Sequence, residues 1–361
     1  MNAFRAFFGV LFGLFLAFPA MGQEGLGSQI VVVGGHIYHT GLLPTPIGQR
    51  GGKQHVVYAP NADLPDNYDS TTDETLNCVS PIRNQGQCGS CYAFSETAAL
   101  EAASCLAGVS DNTLDLAEQD QLVNDRDSMG CSGGYMSFDF QKNHGVALES
   151  DCPYDASGRH ACSKPAKTKA ISWAFIGDAN NGPSVDDLRA AIYAHKVISV
   201  TTAAGGSFDT DSNGVFVGCG DRGINHMVAL VGYRKLANGK YQFKMRNSWG
   251  TSWGQLGGYG WLAQGCEQTA TGSESAMFVV VDGPGPLPSV VLHAPIEVAA
   301  AKGSDVMLGA KADGAALPLA WSTGETGEMV WIKADVSKVV TVTAKDARGN
   351  AVTATISVVA Q

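Results

Sequence analysis

The sequence predicts an α+β chain that ends in a small all-β module, and three stretches carry that expectation. Tyr92 to Leu106 is rich in Ala, with apolar Phe94, Ala98, Leu100, Ala102 and Leu106 spread through it, as in a buried helix. NHMVALVGY, Asn225 to Tyr233, sets His226 just ahead of a β-branched apolar run, the way a strand presents a polar group at its mouth. Beyond Ser289 there is no cysteine, and alternating runs (SVVLH, VMLGAKA, VVTVTAKD, AVTATISVV) are separated by turn residues such as Ala347-Arg348-Gly349-Asn350.

Taken in order, residues 1–22 have the features of an export signal: Arg5 in a basic start, an apolar run from Ala6 to Phe18, and small residues at Ala20-Met21-Gly22. The run is too short to span a bilayer comfortably, and no later one reaches that length, so no stable membrane insertion is expected. Residues 23–62 carry VVVGGHIYHTG and the Pro/Gly-rich LLPTPIGQRGG, a short pro-segment or an N-terminal extension. His36, His39 and His55 are too irregularly spaced for a metal cluster and read as solvated loop residues. A net charge of −10 argues against nucleic acid or anionic membrane as partners.

The chemistry begins at QGQCGSCYAFS, Gln85 to Ser95. Cys91 stands at the start of the expected helix, where unpaired N–H groups and the positive end of the macrodipole favour a thiolate, and Gly89-Ser90 supply a tight entry and a polar cap. A nucleophilic cysteine needs a base and a group to orient it. His226 and, in RNSWGTSWG, Asn247 beside Trp249 and Trp253 supply both, 135 and 156 residues after Cys91. A redox reading of Cys88-Gly89-Ser90-Cys91 lacks the strand before it, and a zinc site lacks a second CxxC or an HxxxH.

Together these motifs resemble the papain-like cysteine peptidases over roughly Leu64 to Val281. The resemblance implies a peptidase domain over 63–282, beginning near LPDNYD and built as two lobes: a helical left lobe, about Asp73 to Ser172, and a β-barrel-like right lobe, about Trp173 to Asp282. It implies roles too: Cys91 the nucleophile, His226 the general base and acid, Asn247 the residue fixing the imidazole tautomer, Gln85 the side-chain donor of the oxyanion hole, and Trp249 a roof over the Asn247–His226 hydrogen bond. No metal or cofactor is required.

Nine cysteines less Cys91 leave an even eight, fitting an exported chain. CSGGY, Cys131 to Tyr135, resembles a family element and pairs Cys88 with Cys131; Cys219 pairs with Cys266; Cys78 with Cys105 resembles a bridge of the cathepsin B branch; Cys152 and Cys162 are left to close a local loop. Asn124 stands where the family pattern has a further cysteine.

Gly133 and Gly134 are expected to admit a substrate backbone as a short antiparallel strand, with Tyr135, Met136, Ile224 and Met227 as pocket walls. The pocket floor falls within Gly272 to Phe278, where Glu274 would instead welcome Arg. The segment between Cys131 and Cys162 is too short for the cathepsin B loop, and His160 reads as a turn residue, so the cleft is expected open at both ends and the activity endopeptidic, with residues 23–62 either a short pro-segment lying over the cleft or an ordered extension of the enzyme. A transpeptidase using the same thioester, or a non-catalytic binding protein on this scaffold, are the alternatives.

After a stiff linker at 283–288, within DGPGPLP, residues 289–361 are expected to form a small β-sandwich. LAWSTGETG and VTVTAKDARGN resemble PKD and immunoglobulin-like modules, with Trp321 in the core and Trp331 a binding residue if exposed. The whole reads as a secreted (extracellular or periplasmic) enzyme acting on proteins or peptides, with a surface or glycan as the module's possible ligand and no indication of oligomeric state.

Overall fold

The computed structural model describes residues 28–45, 54–58, 64–205, 208–216, 223–263, 275–283, 291–293, 297–313, 319–327, 329–345 and 351–361. The expected export signal, Cys219, Cys266, Glu274 and most of the linker lie outside these residues.

The chain opens with a hairpin, β1 (Gln29–Val33) and β2 (His36–Thr40), turned by Gly34-Gly35 at φ 55° and 81°. Two consecutive left-handed residues suit glycine alone without strain, and this turn matches the twist of the strands it joins. β3 (His55–Val56) and β4 (Asn67–Asp69) follow before the first helix. His36 and His39 thus lie in β2 and His55 in β3, so the expectation of solvated loop histidines is corrected. Main-chain pairing, which histidine tolerates, decides their place.

The helical part holds α1 (Cys91–Leu106), α2 (Glu118–Asn124) and α3 (Asp139–Asn143). Fifteen residues of α1, Cys91 to Cys105, are buried. Alanine allows this, because small side chains let neighbours approach on every side at little entropic cost. Two glutamates go down with them. Glu96 accepts from Gln121 Nε2 at 2.6 Å, Gln141 Nε2 at 3.0 Å and the Ser137 amide at 3.1 Å, and Glu101 accepts from Ser80 and the Leu116 amide. Burial raises both carboxyls, Glu101 to about 7.

Three disulfides bind this half: Cys78–Cys105, Cys88–Cys131 and Cys152–Cys162. Asn124, in place of a cysteine, donates from Nδ2 to the Cys162 carbonyl at 2.9 Å, so a hydrogen bond stands there in place of a covalent tie.

The other half is a sheet in which β3, β5 (Ala170–Ile176), β10 (Ala276–Val281), β6 (Ile198–Thr202), β7 (His226–Lys235), β8 (Tyr241–Arg246) and β9 (Tyr259–Ala263) lie side by side, with β4 also paired to β7. β7 is buried over its first eight residues and packs on α1, so the sheet joins the two halves through one apolar cluster. α4 (Val185–His195) starts with a reciprocal cap between Ser184 and Asp187 and covers the sheet.

Residues 291–361 contain strands alone among those described: β11 (Val291–His293), β12 (Glu297–Ala300), β13 (Asp305–Gly309), β14 (Lys311–Asp313), β15 (Ala320–Trp321), β16 (Met329–Lys333), β17 (Lys338–Lys345) and β18 (Ala351–Ala360). They pair as β11-β14, β12-β18-β17-β15 and β13-β16 around an apolar cluster of their own. Trp321 is buried in it, while Trp331 is 66% exposed.

Candidate active site

Cys91 is the first residue of α1 and is fully buried. Ser90 precedes it but makes no side-chain cap, a correction to the expected polar cap. Its hydroxyl is instead 2.7 Å from the Tyr154 hydroxyl, which donates to the Gln85 carbonyl at 2.8 Å. Tyr154 therefore ties the loop bearing Gln85 to the nucleophile's helix start. The sequence carried no signal for this, since 69 residues separate Tyr154 from Gln85.

His226 opens β7, fully buried, and the next residue, Met227, lies in the same buried cluster as Cys91. His226 Nε2 lies 2.9 Å from Asn247 Oδ1, a carbonyl-type acceptor, so the proton sits on Nε2 and Nδ1 is left as the base. Among the described residues Nδ1 is buried without a hydrogen-bond partner. Trp249 stacks on the imidazole at 4.8 Å between centroids, the expected roof, and Phe208 meets the same ring edge-on at 6.1 Å. Trp253 supports Trp249 edge-on from within the core. His195, also buried, lies on α4, 2.8 Å from the Tyr58 hydroxyl and stacked on Phe278.

Gln85 is held on both sides. Its amide nitrogen donates to the Ser248 carbonyl at 2.8 Å and its Oε1 accepts from Ser248 Oγ at 2.6 Å, which turns Nε2 inward. Nε2 donates to the Cys88 carbonyl at 2.8 Å and to the His39 carbonyl at 3.1 Å. Cys91, Gln85, His226 and Asn247 are thus brought together by a helix start, a loop, a strand start and a strand end.

The chain's own N-terminal segment lies in the cleft. After β2 the chain enters it: the Gly41 amide donates to Cys91 Sγ at 3.2 Å, the Leu42 amide to the Asn225 carbonyl at 3.1 Å and the Leu43 amide to the Gly134 carbonyl at 2.9 Å, while the Gly134 amide donates to the Gly41 carbonyl at 2.9 Å. Tyr38 lies flat on Trp249 at 4.4 Å. The two expected glycines differ. A Cβ on Gly133 would come 2.7 Å from the Gly41 carbonyl and 3.0 Å from Leu43, so its missing side chain makes room for the N-terminal segment, whereas one on Gly134 would strike the Tyr92 ring at 2.6 Å. Gly134 therefore meets two demands, packing under Tyr92 and backbone pairing with Gly41 and Leu43. Of the expected pocket walls, Met136 and Met227 are buried in the cluster that includes Cys91, Tyr135 is half-buried and Ile224 is exposed.

In this covered state burial pushes the Cys91 thiol up to about 11 and His226 down to about 4, although Asn247 works the other way on the imidazole. Burial thus favours neutral thiol and neutral imidazole in this covered state. No group of His, Cys, Asp or Glu able to hold a metal occurs among the described residues.

The chain is 36% identical over 185 residues to the senescence-specific cysteine protease SAG12 of Arabidopsis thaliana, covering 50% of this chain and 52% of that protein. It is 35% identical over 184 residues to vignain of Phaseolus vulgaris, with 50% of each covered. It thus spans about half the length of these curated relatives. Among solved structures, the ragweed pollen cysteine protease Amb a 11 in its proform aligns with a TM-score of 0.53 and 28% identity over 66% of this chain and 74% of that one. Residues 64–280 match the family described as papain family cysteine protease, and the chain belongs to that family.

Proposed function

We propose that the chain is a secreted thiol endopeptidase. The observation that carries this reading is His226, held by Asn247 through Nε2–H with Nδ1 unpaired, at the start of the strand whose next residue, Met227, shares a buried cluster with Cys91. In the open cleft the Cys91 proton passes to Nδ1, giving thiolate and imidazolium. The sulfur attacks a peptide carbonyl carbon, and the oxyanion meets Gln85 Nε2 and the Cys91 amide, each donor contributing about 3 to 4 kcal/mol. The imidazolium then protonates the departing amine, leaving a thioester. Water, deprotonated by the imidazole, releases the acid and restores the thiol. Substrate would lie along Gly133 and Gly134, with Tyr135, Met136, Ile224 and Met227 shaping the pocket beside them.

Secretion rests on residues 1–22 and on the disulfides, which persist in oxidising compartments. No described helix is long and apolar enough to cross a membrane. The Cys78–Cys105 bridge supports likeness to the cathepsin B branch in that corner alone. Residues 289–361 are assigned as a PKD or immunoglobulin-like module that holds the enzyme on a surface or glycan, a reading that Trp331 on the outer face of β16 supports. Deleting the module should spare small-peptide turnover and slow turnover of particulate protein; equal rates on both would end the binding role.

The test of the catalytic reading is an epoxide-type thiol reagent with adduct mapping, beside hydrolysis of a short peptide amide. Labelling at Cys91 and loss of hydrolysis in Cys91→Ala are expected. Hydrolysis surviving in Cys91→Ala would refute it.

A further inference from the structure

We propose that Tyr154 is a positioning residue for the oxyanion hole, aiming both of its donors through one hydroxyl; the inference rests on the peptidase reading above. Those donors, the Gln85 side chain and the Cys91 amide, belong to one loop, and the phenol joins its two ends. Tyr154 Oη donates to the Gln85 carbonyl at 2.8 Å and lies 2.7 Å from the Oγ of Ser90, the residue before Cys91. A phenol has a single proton, and a carbonyl can only accept, so that proton is committed to Gln85 and the Ser90 hydroxyl donates to Tyr154. Burial holds the phenol well above its ordinary value, which keeps the proton in place. Tyr154 has nothing left to give a substrate, and its influence on the reaction runs through its two partners.

On the Gln85 side, Tyr154 completes the restraint of the main chain. The Gln85 amide already donates to the Ser248 carbonyl at 2.8 Å, so a hold on its own carbonyl fixes the peptide groups on both sides of its Cα. Ser248 Oγ decides which way the terminal amide faces, but the place that Nε2 reaches depends on where the backbone stands. The middle of the loop has other ties: Nε2 itself to the Cys88 carbonyl, the Cys88–Cys131 bridge, and the Gly89 amide to the Cys131 carbonyl. Its ends have Tyr154 in common.

On the Cys91 side the lever is a peptide plane. The Cys91 N–H points opposite to the Ser90 carbonyl because the bond between them is planar, and that carbonyl accepts from the Phe94 amide at 3.2 Å. Ser90 itself stands at φ −105° and ψ 17°, outside the helix, and spends its hydroxyl on Tyr154 rather than on a cap. The helix therefore fixes one end of this plane and Tyr154 the residue that carries the other.

The brace is anchored outside the loop. The Tyr154 amide donates to Glu149 Oε1 at 2.8 Å, its ring meets Phe94 of α1 edge-on at 4.9 Å, and Cys152, two residues earlier, is bonded to Cys162. Donors of this kind work only when already aimed at the place where the oxyanion develops. Slackening them weakens the transition state and leaves substrate binding nearly alone, so the loss falls on kcat rather than on KM.

The experiment compares wild type with Tyr154→Phe, which removes one oxygen and keeps the ring against Phe94, both as full-length chains matched at the N-terminus by intact mass. Three quantities are measured. The first is hydrolysis of a peptide amide. The second is affinity for a peptide aldehyde, whose carbonyl carbon bonds Cys91 Sγ and leaves its oxygen in the hole, read as protection of Cys91 from alkylation. The third is the alkylation rate with iodoacetamide, which forms a C–S bond and expels iodide without placing charge on a carbonyl oxygen. Tyr154→Phe should lower kcat and aldehyde affinity together by about tenfold, against roughly a hundredfold or more for deleting a donor outright. KM and alkylation should stay within about twofold of wild type. Unchanged aldehyde affinity would overturn the proposal, because the hole has not moved; alkylation slowed by the same factor as kcat would overturn it too, because Cys91 itself has been disturbed. Weaker aldehyde binding where neither protein hydrolyses the amide would uphold the positioning role and count against the peptidase reading instead. Should Tyr154→Phe fail to accumulate, Ser90→Ala, which cuts only the arm toward Cys91, is expected to divide aldehyde affinity from alkylation in the same way by about threefold, and the absence of that division would likewise overturn the proposal.

Discussion

Asn247→Ala isolates the hydrogen bond that sets the imidazole. Asn247 is buried, accepts Nε2–H of His226 at 2.9 Å, and lies beside Trp249, which stacks on the same imidazole. Removing the acceptor leaves a buried donor unpaired, and the imidazolium formed during catalysis loses a charge-assisted bond worth about 1.5 to 3 kcal/mol. At about 1.4 kcal/mol per tenfold, kcat should fall by roughly ten- to a hundredfold. Asn247 is too deep to touch substrate, so KM should stay within about twofold. Because Asn247 raises the His226 pKa, its loss lowers the pH at which the imidazolium gives up its proton. The alkaline limb of kcat/KM should therefore move to lower pH. The assay is peptide-amide hydrolysis across pH for variant and parent handled identically, with near-ultraviolet circular dichroism to show that the core is retained. A folded variant with unchanged kcat and an unmoved alkaline limb would refute the reasoning.

Gly134→Ala should lower thermal stability by several degrees, because the new Cβ meets the fully buried Tyr92 ring at 2.6 Å and overpacking of this kind costs about 1 to 3 kcal/mol; an unchanged melting temperature would show that the ring yields freely. His195 keeps its neutral form to about pH 3 when folded but takes a proton near 6.5 when unfolded, so acid favours the unfolded chain and stability falls as pH drops from 6.5 toward 3. His195→Phe should flatten that part of the stability–pH curve, read by denaturant melts at pH 7 and pH 4, and an equal slope in both proteins would remove His195 as a contributor.

Much of the site was legible because its chemistry is carried by compact motifs. Gln85, Cys91, His226 and Asn247 each stand in a local run whose residue types have a reason to be there, and the α1 boundaries follow from an Ala-rich stretch entered through Gly89-Ser90. Of the three disulfides among the described residues, Cys88–Cys131 and Cys78–Cys105 follow from the family resemblance, and Cys152–Cys162 joins the two cysteines left over. Other assignments needed contacts between residues far apart in the chain. Ser90 is a good cap by type, yet its hydroxyl turns to Tyr154, because a phenol bridging it to the Gln85 carbonyl satisfies two buried groups at once. Phe208 sits in a stretch with no motif and is fixed only by the rings of His226, Trp249 and Trp253 around it.

VVVGGHIYHTG shows the same division most sharply. Its histidine spacing reads as loop, yet the stretch pairs as a hairpin turned by Gly34-Gly35, because strand pairing overrides that local reading. Where that hairpin goes is set by groups 46 to 210 residues away, Gln85, Cys91 and Trp249, and by a clearance at Gly41 too narrow for one methyl group. The sequence by itself determined which residues can do the chemistry and that Cys91 heads a buried helix and His226 a strand. Only the tertiary structure decided that the cleft is covered and which residue lets the cover in, because both depend on the approach of two backbones that no local pattern encodes.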